Sequence, residues 1–415
     1  MKDKSILFVH NRGYHASGPE TYLINAKKIF EDNGNNCRIF CLDYYQNNLP
    51  DILQYVPKPL GNPKVYSYQD QKLSLLTKIK IAIFSIWDLR VFFALRRELK
   101  NKHYDLAIVL QYSGKLTPSV FTALSLYKVP TIARQSDYGL ICMRNTFQDT
   151  TDAVCTLCVD QPNQSLRKKC GGSYFKTLFL FFLLRVNRAI SPKERVSLMW
   201  TNQFAFNIAS KSPLLKKFKH SLNYTFGFKD GPNECYSPEF LYDFIYFGRL
   251  SSDKGVDELL YFFSKNPSSK ILLVGEISKK DVKAWQKYQA CGNIRVLPKC
   301  NHDEIKNYIK MSKFCIICSK WFDNLPNTLI EAYAMSKPTI MPNIGSFEEF
   351  QVKDQLGFKD FSELQFSHDY AMGMSDREYS QIVSEVENKY NDCFRSDLHM
   401  DGYDSIMSNI DSKIY

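Results

Sequence analysis

The chain holds 415 residues, more than one hydrophobic core usually organises, so two domains are expected. Its 54 Lys and Arg against 43 Asp and Glu leave a net charge of +11, which suits an anionic partner; no reader motif accompanies that charge, so nucleic acid is not expected. No apolar run reaches the roughly 18 residues of a membrane span, and the start MKDKSILFVH meets Asn11 and Arg12 too soon for a secretory signal, so the protein is expected in the cytoplasm with its twelve cysteines mostly free thiols.

From the amino terminus, SILFVH at 5–10 reads as a strand and the residues after it as a loop and a helix. Pro19 and Glu20 suit a first helical turn, Leu23, Ala26 and Phe30 recur on one face, and Gly34 is placed to cap the end. Further strands follow at 37–42 (CRIFCL), 105–110 (DLAIVL) and 131–133 (TIA). Two segments concentrate the positive charge. Residues 77–102 set Lys78, Lys80, Arg96 and Arg97 around a wide apolar face, and 165–188 joins Arg167, Lys168 and Lys169 to Phe179, Phe181 and Phe182. Such faces suit reversible docking on an anionic membrane. The competing reading is core-packed helices with solvated ends, and it fits 174–186, where apolar residues go all round.

Cys142, Cys155, Cys158 and Cys170 form a pattern of their own. CTLC at 155–158 lies in a polar stretch and can fold as a knuckle, so the four read either as a structural tetrahedral zinc site or as loose thiols in a loop. CIIC at 315–318 has the same spacing, but residues three apart on a strand face opposite ways, so those two belong to the core. Past mid-chain, 227–240 is rich in Gly, Pro and polar residues and is the best linker candidate. Strands resume at 243–249, 270–275, 293–298, 314–318 and 338–342, and 380–394 reads as a late helix. The pattern predicts two doubly wound α/β domains.

The chemistry concentrates in the second half. In WFDNLPNTLIEAYAMSKPTI, 321–340, Pro326 suits a helix start and leaves the amides of Asn327, Thr328 and Leu329 to meet an anion, with Asp323 and Glu331 flanking that phosphate-sized site. About seventy residues earlier, an apolar run enters Gly248, Arg249 and then Lys254-Gly255. Two fixed cations with helix-end amides suit a phosphate on which negative charge builds during a reaction. No Asp-x-Asp triplet of the metal-dependent kind occurs, so no catalytic cofactor is expected.

These residues resemble retaining glycosyltransferases of family 4. That family's Glu, seven residues, Glu and Gly/Ser-Lys-Pro signature is matched by Asp323, Glu331 and Ser336-Lys337-Pro338, with Asp in place of the first Glu. Its Gly-Arg-Leu and Lys-Gly element is matched at 248–255, its Gly-Gly-x-Glu loop by Ser17-Gly18-Pro19-Glu20, and its His-Asp-Tyr loop by Ser136-Asp137-Tyr138. The resemblance implies that Glu331 holds the ribose, that Arg249, Lys254 and Gly18 meet the donor diphosphate, and that Asp323 and Asp137 act at the transferred sugar. It implies the GT-B fold, two Rossmann-like domains facing across a cleft: 1–228 on the acceptor side with a Cys-containing insert at 138–173, 229–375 for the donor, and 376–415 returning to the first domain. The expected activity is metal-independent transfer of a hexose from a nucleotide sugar to a saccharide, lipid-linked, in surface polysaccharide assembly such as lipopolysaccharide or capsule, on the inner face of the membrane. Ser17, Ser136 and Asp323 depart from the family pattern, which keeps open a non-catalytic nucleotide- or glycan-binding protein of the same fold.

Overall fold

The structure is a computed structural model in which residues 1–190, 195–229, 240–278 and 281–411 are described. It divides into two compact units: Met1–Asn223 with Met400–Tyr415, and Tyr224–His399. Residues 230–239 of the expected linker lie outside the described residues.

The first unit is built on strands β1 (Ser5–Val9), β2 (Asn36–Phe40), β3 (Leu106–Val109), β4 (Thr131–Gln135), β5 (Val196–Trp200) and β6 (Lys219–Leu222), in the spatial order β2-β1-β3-β4-β5-β6. The second is built on β7 (Tyr242–Phe247), β8 (Ile271–Val274), β9 (Ile294–Leu297), β10 (Ser312–Ile316), β11 (Thr339–Pro342) and β12 (Gly357–Phe358), in the order β12-β11-β10-β7-β8-β9. All pairings are parallel. Helices cover both faces of such a sheet, so its central strands are apolar throughout; Ile6, Leu7, Phe8 and Val9 are all fully buried. In each sheet the winding changes direction once, between β1 and β3 and between β7 and β10. Ligands of doubly wound sheets bind outside the carboxyl ends of the strands at such points.

Three strands escape a reading of the sequence. Every residue of β6 is only partly buried and β12 is two residues long, so no hydrophobic run marks either. β5, VSLMW, is buried throughout but is only five residues long with a serine inside it, so it makes a weak hydrophobic run after the polar SPKER at 191–195. The expected basic segment 77–102 is two helices, Leu75–Phe84 and Leu89–Asn101, because Asp88 is buried and caps the second by accepting from the Arg90 amide at 2.9 Å. The second helix buries Val91, Leu95 and Leu99 in a four-residue period, whereas the first buries none of its residues. In the helix Tyr174–Ile190, Phe181 is buried while Phe175 and Phe182 are exposed, and Lys168 just before it is paired with Asp149 at 2.8 Å.

The carboxyl-terminal segment returns later than expected. The helix Asp376–Cys393 buries Tyr379, Ile382, Val386 and Tyr390 and packs on the helix Asn327–Ala334 of the second unit, so it does not belong to the first. From Met400 the chain joins the first unit, where the Tyr403 hydroxyl meets that of Tyr22 at 2.7 Å.

After β7 the chain must turn into the helix Val256–Lys265 within a few residues, and Gly255 makes the turn at φ +78°. A Cβ there would stand 1.9 Å from the Cys318 carbonyl oxygen at the end of β10. Gly255→Ala is therefore expected to destabilise the second unit by about 2–5 kcal/mol, combining left-handed strain with overpacking, as read by denaturant unfolding.

Candidate functional site

The loops after β7 and β10 and the start of the helix Asn327–Ala334 come together at the winding change of the second sheet. Gly248 ends β7 at φ +134°, and its carbonyl oxygen lies where a Cβ on Gly275 would come within 1.7 Å, so the loops after β7 and β8 are in backbone contact. The Thr328 methyl lies 3.6 Å from the Cβ position of Gly248, which places the helix start beside the β7 loop.

Lys254 reaches across this junction. Its Nζ donates to both carboxylate oxygens of Asp323, at 2.6 and 2.9 Å, and lies 4.4 Å from the centroid of the Trp321 ring. Ser319 Oγ donates to Asp323 Oδ2 at 2.6 Å, and the Asp323 carbonyl accepts from Ser346 Oγ. Asp323 is thus a buried carboxylate held by two side chains. The family resemblance assigns Lys254 to a diphosphate and Asp323 to a sugar; the fold pairs them with each other. Ser319 and Trp321 are not singled out by the sequence, because neither residue type announces a role without the lysine that folds onto it.

Arg249 is placed differently. Its side chain is 59% exposed and engages Asp253, four residues on. An exposed pair of this kind contributes little and exchanges readily for another anion.

The helix start corrects one expectation. Pro326 is the capping residue rather than the first helical one, and the Leu329 amide donates to the Pro326 carbonyl at 3.1 Å. Of the three amides expected to meet an anion, those of Asn327 and Thr328 remain at the helix end. At the other end, Ser336 adopts φ +52° and Lys337 donates its amide to the Ala332 carbonyl, a Schellman closure. The Lys337 ammonium is buried and donates to the Ser312 carbonyl at 2.6 Å, so it ties the helix end to β10, and burial pushes its pKa down to about 8.

Glu331, one turn into the helix, is the most unusual group of the unit. Among the described residues no hydrogen bond or ion pair engages its carboxylate. Burial pushes its pKa up to about 7, against a smaller lowering by the charge of Lys306. The chain thus holds a half-buried carboxyl group and supplies it with no donor among the described residues.

The remaining predicted site residues lie in the first unit. Gly18 is exposed and opens the helix Gly18–Asp32, where Ser17 donates its amide and hydroxyl to Glu20 Oε2 at 2.9 and 2.7 Å. Glu20 is fully buried; burial opposes its ionisation, but hydrogen bonds from Arg12 and Ser17 outweigh it and hold the carboxyl below its usual range. Asp137 is exposed and accepts from the Gly139 amide at 2.8 Å, so its carboxylate shapes its own loop.

Cys142, Cys155, Cys158 and Cys170 are free thiols. Burial and the neighbouring thiols raise Cys158 to about 11. Among the described residues no group of three or more His, Cys, Asp or Glu is arranged to hold a metal ion, although Cys142, Cys155 and Cys170 all lie near Cys158. Cys315 and Cys318 are both buried in the core as expected, but only Cys315 is on a strand, since β10 ends at Ile316 and Cys318 lies in the loop after it. Two surface concavities of the second unit, one lined by Asn343, Lys359 and Phe366 and the other by Asp257, Tyr261 and Phe361, include none of Arg249, Lys254, Asp323 or Glu331.

Residues 237–359 match the family described as Glycosyl transferases group 1. A search of curated protein sequences gives no match. Solved structures with a similar fold include sucrose-phosphate synthase from Thermosynechococcus elongatus, with 12% identity over 99% of this chain and 100% of that one and a TM-score of 0.67. HepE of Anabaena, in complex with UDP-glucose, has 13% identity over 98% and 100% and a TM-score of 0.61. WaaG, a glycosyltransferase involved in lipopolysaccharide biosynthesis, has 10% identity over 96% and 98% and a TM-score of 0.59. At these identities the likeness is one of fold, and that fold is GT-B: two doubly wound parallel sheets with flanking helices. The stretch that carries Arg249, Lys254, Asp323 and Glu331 is thus a glycosyl transferases group 1 match, borne on the second unit of a GT-B fold.

Proposed function

We propose that the protein is a retaining hexosyltransferase that moves a sugar from a nucleotide donor to a lipid-linked saccharide in surface polysaccharide assembly. The observation that carries this reading is Glu331: a partly buried carboxyl group one turn into the helix, with no protein partner among the described residues, is what two ribose hydroxyls would complete. The group 1 match over this stretch supports it, as does the shared fold with HepE, bound there to UDP-glucose, and with WaaG of lipopolysaccharide biosynthesis. Retention rests on the resemblance to family 4.

In this reading the bond from the anomeric carbon to the diphosphate breaks and its electron pair leaves with the phosphate oxygen. The acceptor hydroxyl oxygen forms the new bond to the anomeric carbon on the same face, and its proton passes to the leaving phosphate oxygen. Lys254, its ammonium at the mouth of the Asn327–Ala334 helix start, and Arg249, exchanging Asp253 for the ligand, meet that charge without a metal. Asp323 then has two functions. It holds Lys254 in place, and its remaining lone pairs accept from hydroxyls of the transferred sugar.

The exposed apolar helix of the first unit supports the membrane part of the reading. Leu75 and Leu76 are each 73% exposed, Ile79 and Ile83 are exposed as well, and Lys78 and Lys80 stand among them. Among the described residues no helix is long and apolar enough to cross a membrane.

A thermal-shift screen against nucleoside diphosphates tests the donor site, since a ligand at a hundred times its dissociation constant stabilises by about 2.7 kcal/mol. Glu331→Gln is expected to weaken the best binder by roughly a hundredfold, the loss of two charge-assisted hydrogen bonds. The same variant has a second signature. Between the ordinary carboxyl value of 4.5 and the folded value of about 7, the unfolded wild type ionises Glu331 and the folded chain does not, so its stability falls as pH rises through that window. The loss reaches about 3 kcal/mol above pH 7 and is absent from Glu331→Gln. Unchanged nucleotide affinity in this variant overturns the placement of Glu331.

Slow donor hydrolysis without acceptor separates an enzyme from a binding protein of the same fold. Lys254→Ala and Arg249→Ala are expected to reduce the rate of that hydrolysis about tenfold or more while changing donor affinity less, because their charge is opposed most strongly by the leaving diphosphate. For the membrane, sedimentation with anionic vesicles should fall with salt, and Lys78→Glu/Lys80→Glu should lower it by about tenfold or more, from roughly 1 kcal/mol per basic residue. Equal binding to neutral vesicles leaves the acceptor to arrive from solution.

A further inference from the structure

The winding change of the first sheet collects a second set of chemistry-bearing residues, drawn from the loops after its three adjacent strands. His10 and Arg12 follow β1, Tyr44 follows β2, and Lys115 follows β3. Arg12 and Lys115 converge on one aromatic ring: the Arg12 guanidinium lies 4.1 Å and the Lys115 ammonium 4.7 Å from the centroid of Tyr66. Lys115 also lies 3.4 Å from the ring of Tyr68 and donates to the Tyr66 carbonyl at 2.6 Å. Tyr14 and Tyr44 close the cluster, at 6.4 Å from each other, with Tyr44 packed 5.5 Å from Tyr66.

The charge of this cluster is only half balanced. Arg12 donates to Glu20 at 2.7 Å, and His10 stands 3.4 Å from the same carboxylate oxygen. Lys115 has no carboxylate partner among the described residues, and burial together with the nearby Arg12 pushes its pKa down to about 8. Ring faces stabilise an ammonium but do not neutralise it. A second group is also incomplete: Tyr44 is 2% exposed, and its hydroxyl has no hydrogen-bond partner among the described residues. An unbalanced cation and an orphaned hydroxyl at the carboxyl ends of three neighbouring strands are what an anionic ligand would satisfy.

We infer that the loops after β1, β2 and β3 bind an acidic saccharide, its oxyanion held by Lys115 and Arg12 and its ring laid against the tyrosines around Tyr66. The oxyanion requirement comes from the unbalanced charge alone. The saccharide part rests on the proposed glycosyltransferase function, and the aromatic walls are its physical counterpart, since ring faces pack against the apolar face of a sugar. A phosphate and a carboxylate present the same bidentate edge to these cations, so the ligand is either a sugar phosphate or a uronate.

Calorimetric titration of the full chain with glucose 6-phosphate, glucuronate, glucose and inorganic phosphate at one ionic strength tests this. At least one of the two acids is expected to bind about tenfold more tightly than glucose, and Lys115→Met to weaken that acid about tenfold or more, as loss of a charge-assisted contact requires. Lys115→Arg should retain the binding, and Tyr44→Phe, which deletes one hydroxyl without disturbing packing, should weaken it severalfold. A response to glucose 6-phosphate alone assigns a sugar phosphate, and one to glucuronate alone a uronate. Inorganic phosphate binding as well as glucose 6-phosphate overturns the saccharide part. Wild-type affinity in Lys115→Met, or no preference for the acids over glucose, overturns the whole. Nucleoside diphosphate binding serves as the control for folding: if Lys115→Met loses it, Lys115→Arg and Tyr44→Phe decide in its place. Glu331→Gln should leave acid binding intact, so a failed donor site and a failed acid site give different patterns.

Discussion

The change of winding direction in each sheet is the constraint on which the rest depends. Where successive crossovers run in one direction, each loop lies against its neighbour and covers the strand ends. Where the direction reverses, the loops part and leave the carboxyl ends of two adjacent strands open. In the second unit this happens between β7 and β10, and every charged group of the candidate donor site hangs from that opening. The first unit repeats the arrangement between β1 and β3, with Arg12 on one side and Lys115 on the other.

Such an opening has to carry charge without collapsing. The second unit manages this with backbone. Gly255 and Gly275 let the loops after β7, β8 and β10 touch carbonyl to Cα, where any side chain would force them apart. That contact sets Lys254 opposite Asp323, and the pair keeps each charge satisfied while no ligand is bound. A buried charge without its partner costs several kcal/mol, so mutual pairing is the least costly way to hold a cation ready for a phosphate. Glu331 is treated in the opposite way. It is left without a donor and shifts toward neutrality, and a ligand that restores its hydrogen bonds recovers the difference. Exposed Arg249 is the adaptable member, since its pair with Asp253 is weak in water.

Much of this was legible in the chain. Uninterrupted apolar runs of four to six residues mark parallel strands buried on both faces, and the central strands of both sheets stand where those runs predicted. Gly34 closes the first helix as its position predicted, because capping is local chemistry set by residues within a few positions of one another; the capping box of Ser17 with Glu20 at the other end emerged only from the structure. The two segments themselves, Gly248 to Lys254 and the start of the Asn327–Ala334 helix, were readable too, since each announces itself by turn residues next to a strand, whereas their belonging to one site was implied only by the resemblance to family 4. The edge strands β6 and β12 were not, because an edge needs little hydrophobic surface to pair.

What the amino-acid sequence determined by itself is therefore the set of local elements, the two-domain α/β class and the residue types available at each loop. Tertiary structure alone decided which of those residues meet. Lys254 and Asp323 are sixty-nine positions apart, and their pairing follows from β7 lying beside β10. Arg12 and Lys115 meet over Tyr66 because β1 lies beside β3, and no spacing along the chain expresses that. The same holds for the Leu329 amide, taken by Pro326 once the helix start has its final geometry, and for the carboxyl-terminal return at Met400, set by the surface that Tyr390 and Val386 bury in the second unit. Hydrogen bonds and burial between distant residues depend on strand order, and strand order is a property of the packed sheet rather than of any window of sequence.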